Sequence, residues 1–218
     1  MDAAEVAAHW EANADTWTRY SRAGCDVYRD ALNTPAFLAM LPPVDGRDGL
    51  DVGCGEGTNT RKLALLGARM HAVDIAPTFI RHARETEVAD PLGIDFRVGD
   101  ATALRFADGS FDFVTAFMSL MDMADQGRAL YEAQRVLRPG GGLQFDLASL
   151  LRSAAPEGTA RRRRQGAGRR GRWLFRGDRR PRRDVVVLDV AKGRTSGGCP
   201  VPCPALSPNP EFMGRDDL

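Results

Sequence analysis

The sequence predicts an α/β chain built on a doubly wound parallel sheet, and three observations predict it. Short apolar runs alternate with helix-length amphipathic segments from Gly49 to Phe145. The first three runs end in a glycine or an acid, as Val52-Gly53, Val73-Asp74 and Val98-Gly99-Asp100. Helix-opening and helix-stopping residues fall at the junctions between them. Strands and helices alternating at this spacing favour parallel strands covered on both faces. Such sheets bind ligands outside the carboxyl ends of their strands.

The elements follow in chain order. Residues 1–45 read as N-terminal helices. Glu5 to Tyr20 places Val6, Trp10, Ala14 and Trp17 at helical spacing, with both tryptophans read as core packing. Asp26 to Met40 is a second helical segment, interrupted at Asn33-Thr34-Pro35. Gly49 to Val52 reads as a strand, Gly53 to Gly57 as a glycine loop, and Thr58 to Leu66 as a helix stopped by Gly67. Arg69 to Asp74 is the second strand, and Pro77 opens the helix carrying Phe79, Ile80 and Ala83. Ile94 to Val98 and Phe111 to Ala116 are the third and fourth strands, the latter following the turn Ala107-Asp108-Gly109-Ser110. A helix over Arg128 to Leu137 halts at Arg138-Pro139-Gly140-Gly141, and Gly142 to Phe145 begins a fifth strand.

Composition sets the bounds. The 218 residues suit one sizeable domain, or a smaller one with an appendage. The N-terminus has no basic stretch followed by an apolar run, and no apolar segment approaches bilayer length, which predicts a cytoplasmic protein. Cys25, Cys54, Cys199 and Cys203 are scattered and read as free thiols, and no metal site is expected. The net charge of +1 conceals a split: residues 146–218 carry 16 Lys+Arg against 8 Asp+Glu, and the rest of the chain carries 14 against 21. The two parts obey different rules.

Gly53, Gly55 and Gly57 lie between a strand and a helix, the context that gives a glycine pattern meaning. A dinucleotide loop would need glycine or alanine at position 58, which is Thr58, and Glu56 would set a like charge beside a pyrophosphate at the helix N-terminus. Asp74, 21 residues after Gly53, is placed to accept both hydroxyls of a ribose. Asp100 can accept from an adenine amino group, with the Ala101 N–H available to a ring nitrogen. Either aspartate alone is also explained as a helix cap.

In these residues the chain resembles the class I S-adenosylmethionine-dependent methyltransferases, in particular the small enzymes of the ubiquinone and menaquinone biosynthesis type. The resemblance runs from about Trp10 to Phe145 and includes Phe106-Ala107-Asp108-Gly109-Ser110-Phe111-Asp112 and Arg135-Val136-Leu137-Arg138-Pro139-Gly140-Gly141. It implies a Rossmann-like sheet with S-adenosylmethionine as cofactor. By position it implies Asp51 and Gly53 at the methionine amino group, Cys54 and Gly55 against the cofactor, and Asp74 at the ribose. Ile75, Asp100 and Ala101 would frame the adenine, and Phe117 would line the cavity near the sulfonium. Asp122 stands where many relatives have histidine. The implied reaction is methyl transfer to a small-molecule acceptor, and no catalytic residue is identified. A nucleotide-dependent oxidoreductase is the alternative, disfavoured by Glu56 and Thr58.

Residues 146–218 are rich in arginine, proline and glycine and read as a disordered tail. Twelve arginines fall within residues 161–183, so an RNA-associated protein is a third reading, although only Trp173 and Phe175 offer stacking there. Such a tail is expected to bind nucleic acid only unspecifically. The chain has two lysines against 28 arginines, the mark of a GC-rich gene, whose out-of-frame codons yield Arg, Gly, Ala and Pro. The tail therefore reads as out of frame from about Phe145–Asp146. Taken from the second nucleotide of each codon, Arg183 to Arg194 and Pro204 to Pro210 permit text resembling the substrate side of the same methyltransferases. Their sheets close with two further strands after this point, so the form is expected to lack those strands and to be impaired in transfer.

Overall fold

The chain winds α1 (Ala3–Arg22), a π-helical turn (Arg29–Asn33), α2 (Thr34–Met40), β1 (Asp48–Val52), α3 (Thr58–Leu65), β2 (Arg69–Asp74), α4 (Pro77–Ala89) and β3 (Asp95–Val98). A 3₁₀ turn (Ala101–Ala103), β4 (Phe111–Ala116), a second 3₁₀ turn (Leu120–Asp122), α5 (Gln126–Val136), β5 (Leu137–Asp146) and β6 (Asp184–Leu188) complete it. The computed structural model describes residues 2–27 and 29–146, together with the backbone of 184–188. Most of the tail, with Cys199, Cys203 and the arginine run, lies outside the described residues, and so does most of the segment read as out of frame. None of the helices described is long and apolar enough to cross a membrane.

The sheet is parallel throughout, in the order β3-β2-β1-β4-β5-β6. Alternation within each strand loads both faces. Leu50 and Val52 of β1, Val114 of β4 and Leu143 of β5 pack with Ala129, Ala133 and Val136 of α5 on one face. Met70 and Ala72 of β2, Phe96 of β3 and Phe113 of β4 pack with Leu63 of α3 and Ile80 and Ala83 of α4 on the other. Two cores on opposite faces make the sheet doubly wound, as its pattern predicts.

Three details depart from the sequence reading. Pro35 has no N–H to donate, and the turn before it widens to π-helical geometry. α5 begins at Gln126 because Asp125 caps it, its carboxylate accepting from the Arg128 N–H at 2.8 Å. Pairing of β5 starts at Leu137, opposite Phe111, and resumes at Gly142 opposite Phe113, so Arg138 to Gly141 bulge out of the ladder. The sheet also continues past β5: Asp184–Leu188, within the segment read as a disordered tail without further strands, adds a sixth strand in register with Gly142–Asp146.

The two stretches quoted for the resemblance meet in space. Arg135 donates to the carbonyls of Leu104 and Phe106, each at 2.8 Å, and to Asp108 at 2.7 Å. Arg138 pairs with Asp112 at 2.8 Å and Asp48 at 2.9 Å. These bonds fasten the entry to β4 against the entry to β5, below the sheet end where the loops gather.

Candidate functional site

Connections leave β1 on one side toward β2, and the neighbouring strand on the other side is β4. Loops at the carboxyl ends of β1 and β4 therefore diverge, and the crevice between them is where open α/β sheets take ligands. A cavity of about 310 Å³ occupies it. Gly53, Cys54 and Gly55 line it from the loop after β1, Asp74 and Ile75 from the end of β2, Asp100 and Ala101 from beyond β3, and Phe117 from beyond β4. Eight of the nine residues singled out in the sequence line this one cavity.

The glycine loop is shaped by backbone. The N–H groups of Gly53 and Cys54 both donate to the Val73 carbonyl, at 2.8 and 3.1 Å, folding the loop over β2. Gly53 has φ +72°, and a Cβ there would lie 2.4 Å from the Cβ of Ser119. Gly55 also has positive φ, but a Cβ there would stand in open space. One glycine serves packing and the other leaves room.

Asp74 holds this loop from the next strand. One carboxylate oxygen accepts from the Gly55 N–H at 2.8 Å and the other from the Ala76 N–H at 3.0 Å. Each oxygen keeps a lone pair for a further donor, which suits two adjacent hydroxyls. Burial raises its pKa to about 6, although the backbone N–H groups of Ala76, Gly55 and Ile75 pull it down. Asp100 similarly accepts from the Thr102 N–H at 2.8 Å and caps the 3₁₀ turn. Asp100 thus combines capping with lining the cavity, whereas Asp74 caps no helix, since the N-cap of α4 is Ala76, without a side-chain cap.

Asp51 departs from its expected place. It does not line this cavity; its carboxylate is buried under the loop, accepting from Thr60 Oγ1 at 2.6 Å and Thr115 Oγ1 at 2.8 Å. A strand alternates its faces, and the residue before Val52 points away from the crevice into the layer under α3. Burial pushes its pKa up, against the pull of the two threonine hydroxyls. It braces α3 and β4 against β1.

Several lining residues carried no clear signal in the sequence. Trp10 and Trp17 pack edge to face, with centroids 6.1 Å apart, and Trp10 packs against Phe79, so α1 closes one side of the cavity while filling a small core. Glu56 is buried at the start of α3, accepting from Ser21 Oγ at 2.6 Å and Thr58 Oγ1 at 2.8 Å. Its charge occupies the place where a phosphate would bind. Among the described residues, the lining holds the carboxylates of Asp26, Glu56, Asp74, Asp100 and Asp122 against the single guanidinium of Arg29. Such a wall favours a cationic ligand with hydroxyl and amino donors over a phosphate ester. Cys54 is no nucleophile in this setting: burial first, then Asp74 and Asp51, hold its pKa well above that of an ordinary thiol.

Comparison with known proteins agrees with this geometry. Residues 50–145 match the model of the methyltransferase domain family. The chain is 36% identical over 115 residues to the demethylmenaquinone methyltransferase of Clavibacter sepedonicus, covering 53% of this chain and 46% of that protein. It is 37% identical over 95 residues to a ubiquinone biosynthesis O-methyltransferase of Xanthomonas oryzae pv. oryzae, covering 43% and 40%. Over residues 50–145 the chain is thus similar to the class I S-adenosylmethionine-dependent methyltransferases. The matched segment runs from β1 through β5, and S-adenosylmethionine is the cofactor of the family it resembles. The fold of a methyltransferase from Aquifex aeolicus is similar, with a TM-score of 0.51 at 17% identity over 57% of this chain and 68% of that one. The chain spans less than half the length of the relatives it matches.

The residues present fit that cofactor. Its sulfonium and ammonium are cations for an acidic wall, its ribose carries adjacent hydroxyls for Asp74, and it has no phosphate to meet Glu56.

Proposed function

We propose that this chain binds S-adenosylmethionine in the cavity beside β1 and β4 and transfers its methyl group to a small-molecule acceptor. The observation that carries the reading is Asp74, a buried carboxylate at the end of β2 whose two oxygens each hold one backbone N–H and face the cavity with capacity to spare. Bound S-adenosylmethionine supplies a methyl group already activated on sulfur. The chain's own contribution is alignment and exclusion of water.

In this reading Asp74 takes the ribose hydroxyls, Asp100 accepts from the adenine amino group, and the Ala101 N–H faces a ring nitrogen between Ile75 and the end of β3. Gly53, Cys54 and Gly55 let the methionine end lie against backbone. Asp51 acts from beneath, by holding the strand from which that loop departs. Phe117 offers an aromatic face to the sulfonium. Trp10 and Trp17 shield the opposite side from solvent. The matched relatives are named for a malonyl-acyl-carrier protein, a demethylmenaquinone and ubiquinone biosynthesis. Acceptors so different over one shared segment indicate that residues outside it select the acceptor.

Calorimetric titration of the full chain with S-adenosylhomocysteine tests the reading. Saturable binding is expected, with Asp74→Ala weakening it about 100-fold, because two hydrogen bonds to a charged acceptor are each worth roughly 1.5–3 kcal/mol. A folded sample that binds nothing, or an Asp74→Ala variant that binds like the wild type, rejects it. The same reading divides the chain into a cofactor-binding core over 1–145 and a tail over 146–218 that is out of frame, with transfer weaker than binding. Sequencing DNA across Phe145–Asp146 tests that part. An uninterrupted frame in independent isolates, with no family-like text in the neighbouring frame, overturns it.

A further inference from the structure

α1 covers the cavity on a footing of its own. Trp10 and Trp17 line the cavity from α1, and with Ala14 they pack on Ala76 and Phe79 in a small core that shares no residue with the two cores of the sheet. The remaining hold on α1 is polar and differs at its two ends. At the C-terminal end Ser21 Oγ donates to Glu56 at 2.6 Å, while Arg29 donates to the Ser21 hydroxyl at 2.5 Å and to its carbonyl at 3.1 Å. Toward the other end Glu11 accepts from the Thr78 N–H at 3.0 Å and its hydroxyl at 2.7 Å, and Asp15 meets His82 Nε2 at 2.6 Å and Arg81 at 3.1 Å. Between these anchors Thr18 is buried, and its hydroxyl has no partner among the described residues, a defect that weakens the docking. Just past α1 the chain turns at Gly24 with φ +67°.

His82 sits between two carboxylates in this contact. Its Nε2 faces Asp15 of α1, and its Nδ1 faces Glu85 of its own helix at 3.3 Å. A neutral imidazole donates from one nitrogen only, so in either tautomer the other turns a lone pair toward a carboxylate; the imidazolium donates to both. Histidine changes charge between about pH 5 and pH 8. The two carboxylates keep theirs: the His82 bond first, and Arg81 with it, hold Asp15 below the usual aspartate range, and Arg81 does the same for Glu85. The other charged groups at the contact are Arg81 of α4 and Arg22 of α1, whose guanidinium donates to the His82 carbonyl at 3.0 Å, and arginine stays charged throughout. We propose that α1 is a lid over the cavity, hinged at its C-terminal end and latched to α4 by protonated His82 between Asp15 and Glu85. The latch holds at mildly acidic pH. As pH rises the imidazole loses its proton, the lid loosens, and a ligand in the cavity exchanges faster. The latch belongs to the ligand-free chain and stands whatever the cavity binds.

Hydrogen exchange of the ligand-free full chain at about pH 5.5 and about pH 8, corrected for the intrinsic rate at each pH, tests the latch. The amides of α1 report on the lid, and those of α3 serve as the reference for the sheet core. Protection of α1 relative to α3 is expected to fall roughly three- to fivefold from the lower pH to the higher, as two partly exposed ion pairs allow. In His82→Gln it is expected to stay at the wild type's high-pH level throughout, and Asp15→Asn should lower the low-pH value in the same way. The His82→Gln variant keeps His9 of α1 and the carboxyls of Asp74 and Asp122, both held at about 6, so any dependence those groups produce survives in it. A wild-type ratio that does not change with pH, or a dependence that persists in His82→Gln, overturns the proposal. Release of S-adenosylhomocysteine is a second readout. It is expected to speed up by about the same factor over this rise in the wild type and not in His82→Gln, whereas ionisation of Asp74 acts in the opposite direction. Equal release profiles in the two proteins overturn the lid's control of exchange. Failure of S-adenosylhomocysteine to bind at all rejects the proposed function instead, and the hydrogen-exchange comparison still decides the latch.

Discussion

Asp74 and Asp122 are both held near 6 against an ordinary aspartate value of 3.8, and in each case burial is the leading cause. The folded chain therefore binds more protons than the unfolded chain between about pH 4 and pH 6. Stability contributed by these groups falls as pH rises through that window, by up to roughly 3 kcal/mol for each. Asp122→Asn removes one such term without removing a hydrogen bond. Its expected effect is a melting temperature about 5 °C higher at pH 8, with the gain disappearing near pH 4. Melts at the two pH values check this, and a gain equal at both would show that charge is not its source. Asp74 was legible in the sequence from its distance to the glycine loop. Asp122 was visible only as a departure from relatives, since the burial that gives it chemistry is set by contacts remote in sequence.

At the scale of the element, the loop between β1 and α3 separates stability from binding. Gly53→Ala puts a Cβ against Ser119 at a backbone angle that disfavours side chains, with an expected cost of about 3 kcal/mol. Gly55→Ala meets no neighbour and should cost about 1 kcal/mol, yet it should weaken S-adenosylhomocysteine binding at least about tenfold by filling the face left open for the ligand. Denaturant unfolding and calorimetry on the pair check the contrast; equal losses of stability would overturn it. Thr115→Val removes one of the two donors to the buried Asp51 carboxylate and should cost about 1–3 kcal/mol. Local chemistry made most elements readable: β2 over Arg69–Asp74 and β4 over Phe111–Ala116 occupy the spans that their apolar runs indicate. The π-helical turn before Pro35 and the bulge of Arg138 to Gly141 were not readable in that way. Both arise where a proline or glycine interrupts pairing, and how far the interruption spreads depends on neighbours in space.

Over the whole molecule, every described residue lining the cavity lies between Ala3 and Ala124, whereas the far edge of the sheet is built from β5 and β6. Cofactor binding and sheet closure are thus separable. A chain ending at Asp146 should bind S-adenosylhomocysteine within about twofold of the full chain per folded molecule, since distant changes add nearly independently. It should also self-associate, because losing β6 leaves Gly142–Asp146 without its partner strand, beside the buried Leu143 and Phe145. Charge opposes this association: the first 145 residues hold 21 acidic against 14 basic side chains, so truncated copies repel one another. That repulsion acts over about 10 Å at 0.1 M salt and over about 3 Å at 1 M, while edge pairing does not depend on ionic strength. Self-association of the truncated chain should therefore strengthen as salt is added. Sedimentation at low and high salt measures it, and a truncated chain that stays monomeric at both would show that β6 does not protect the edge of β5.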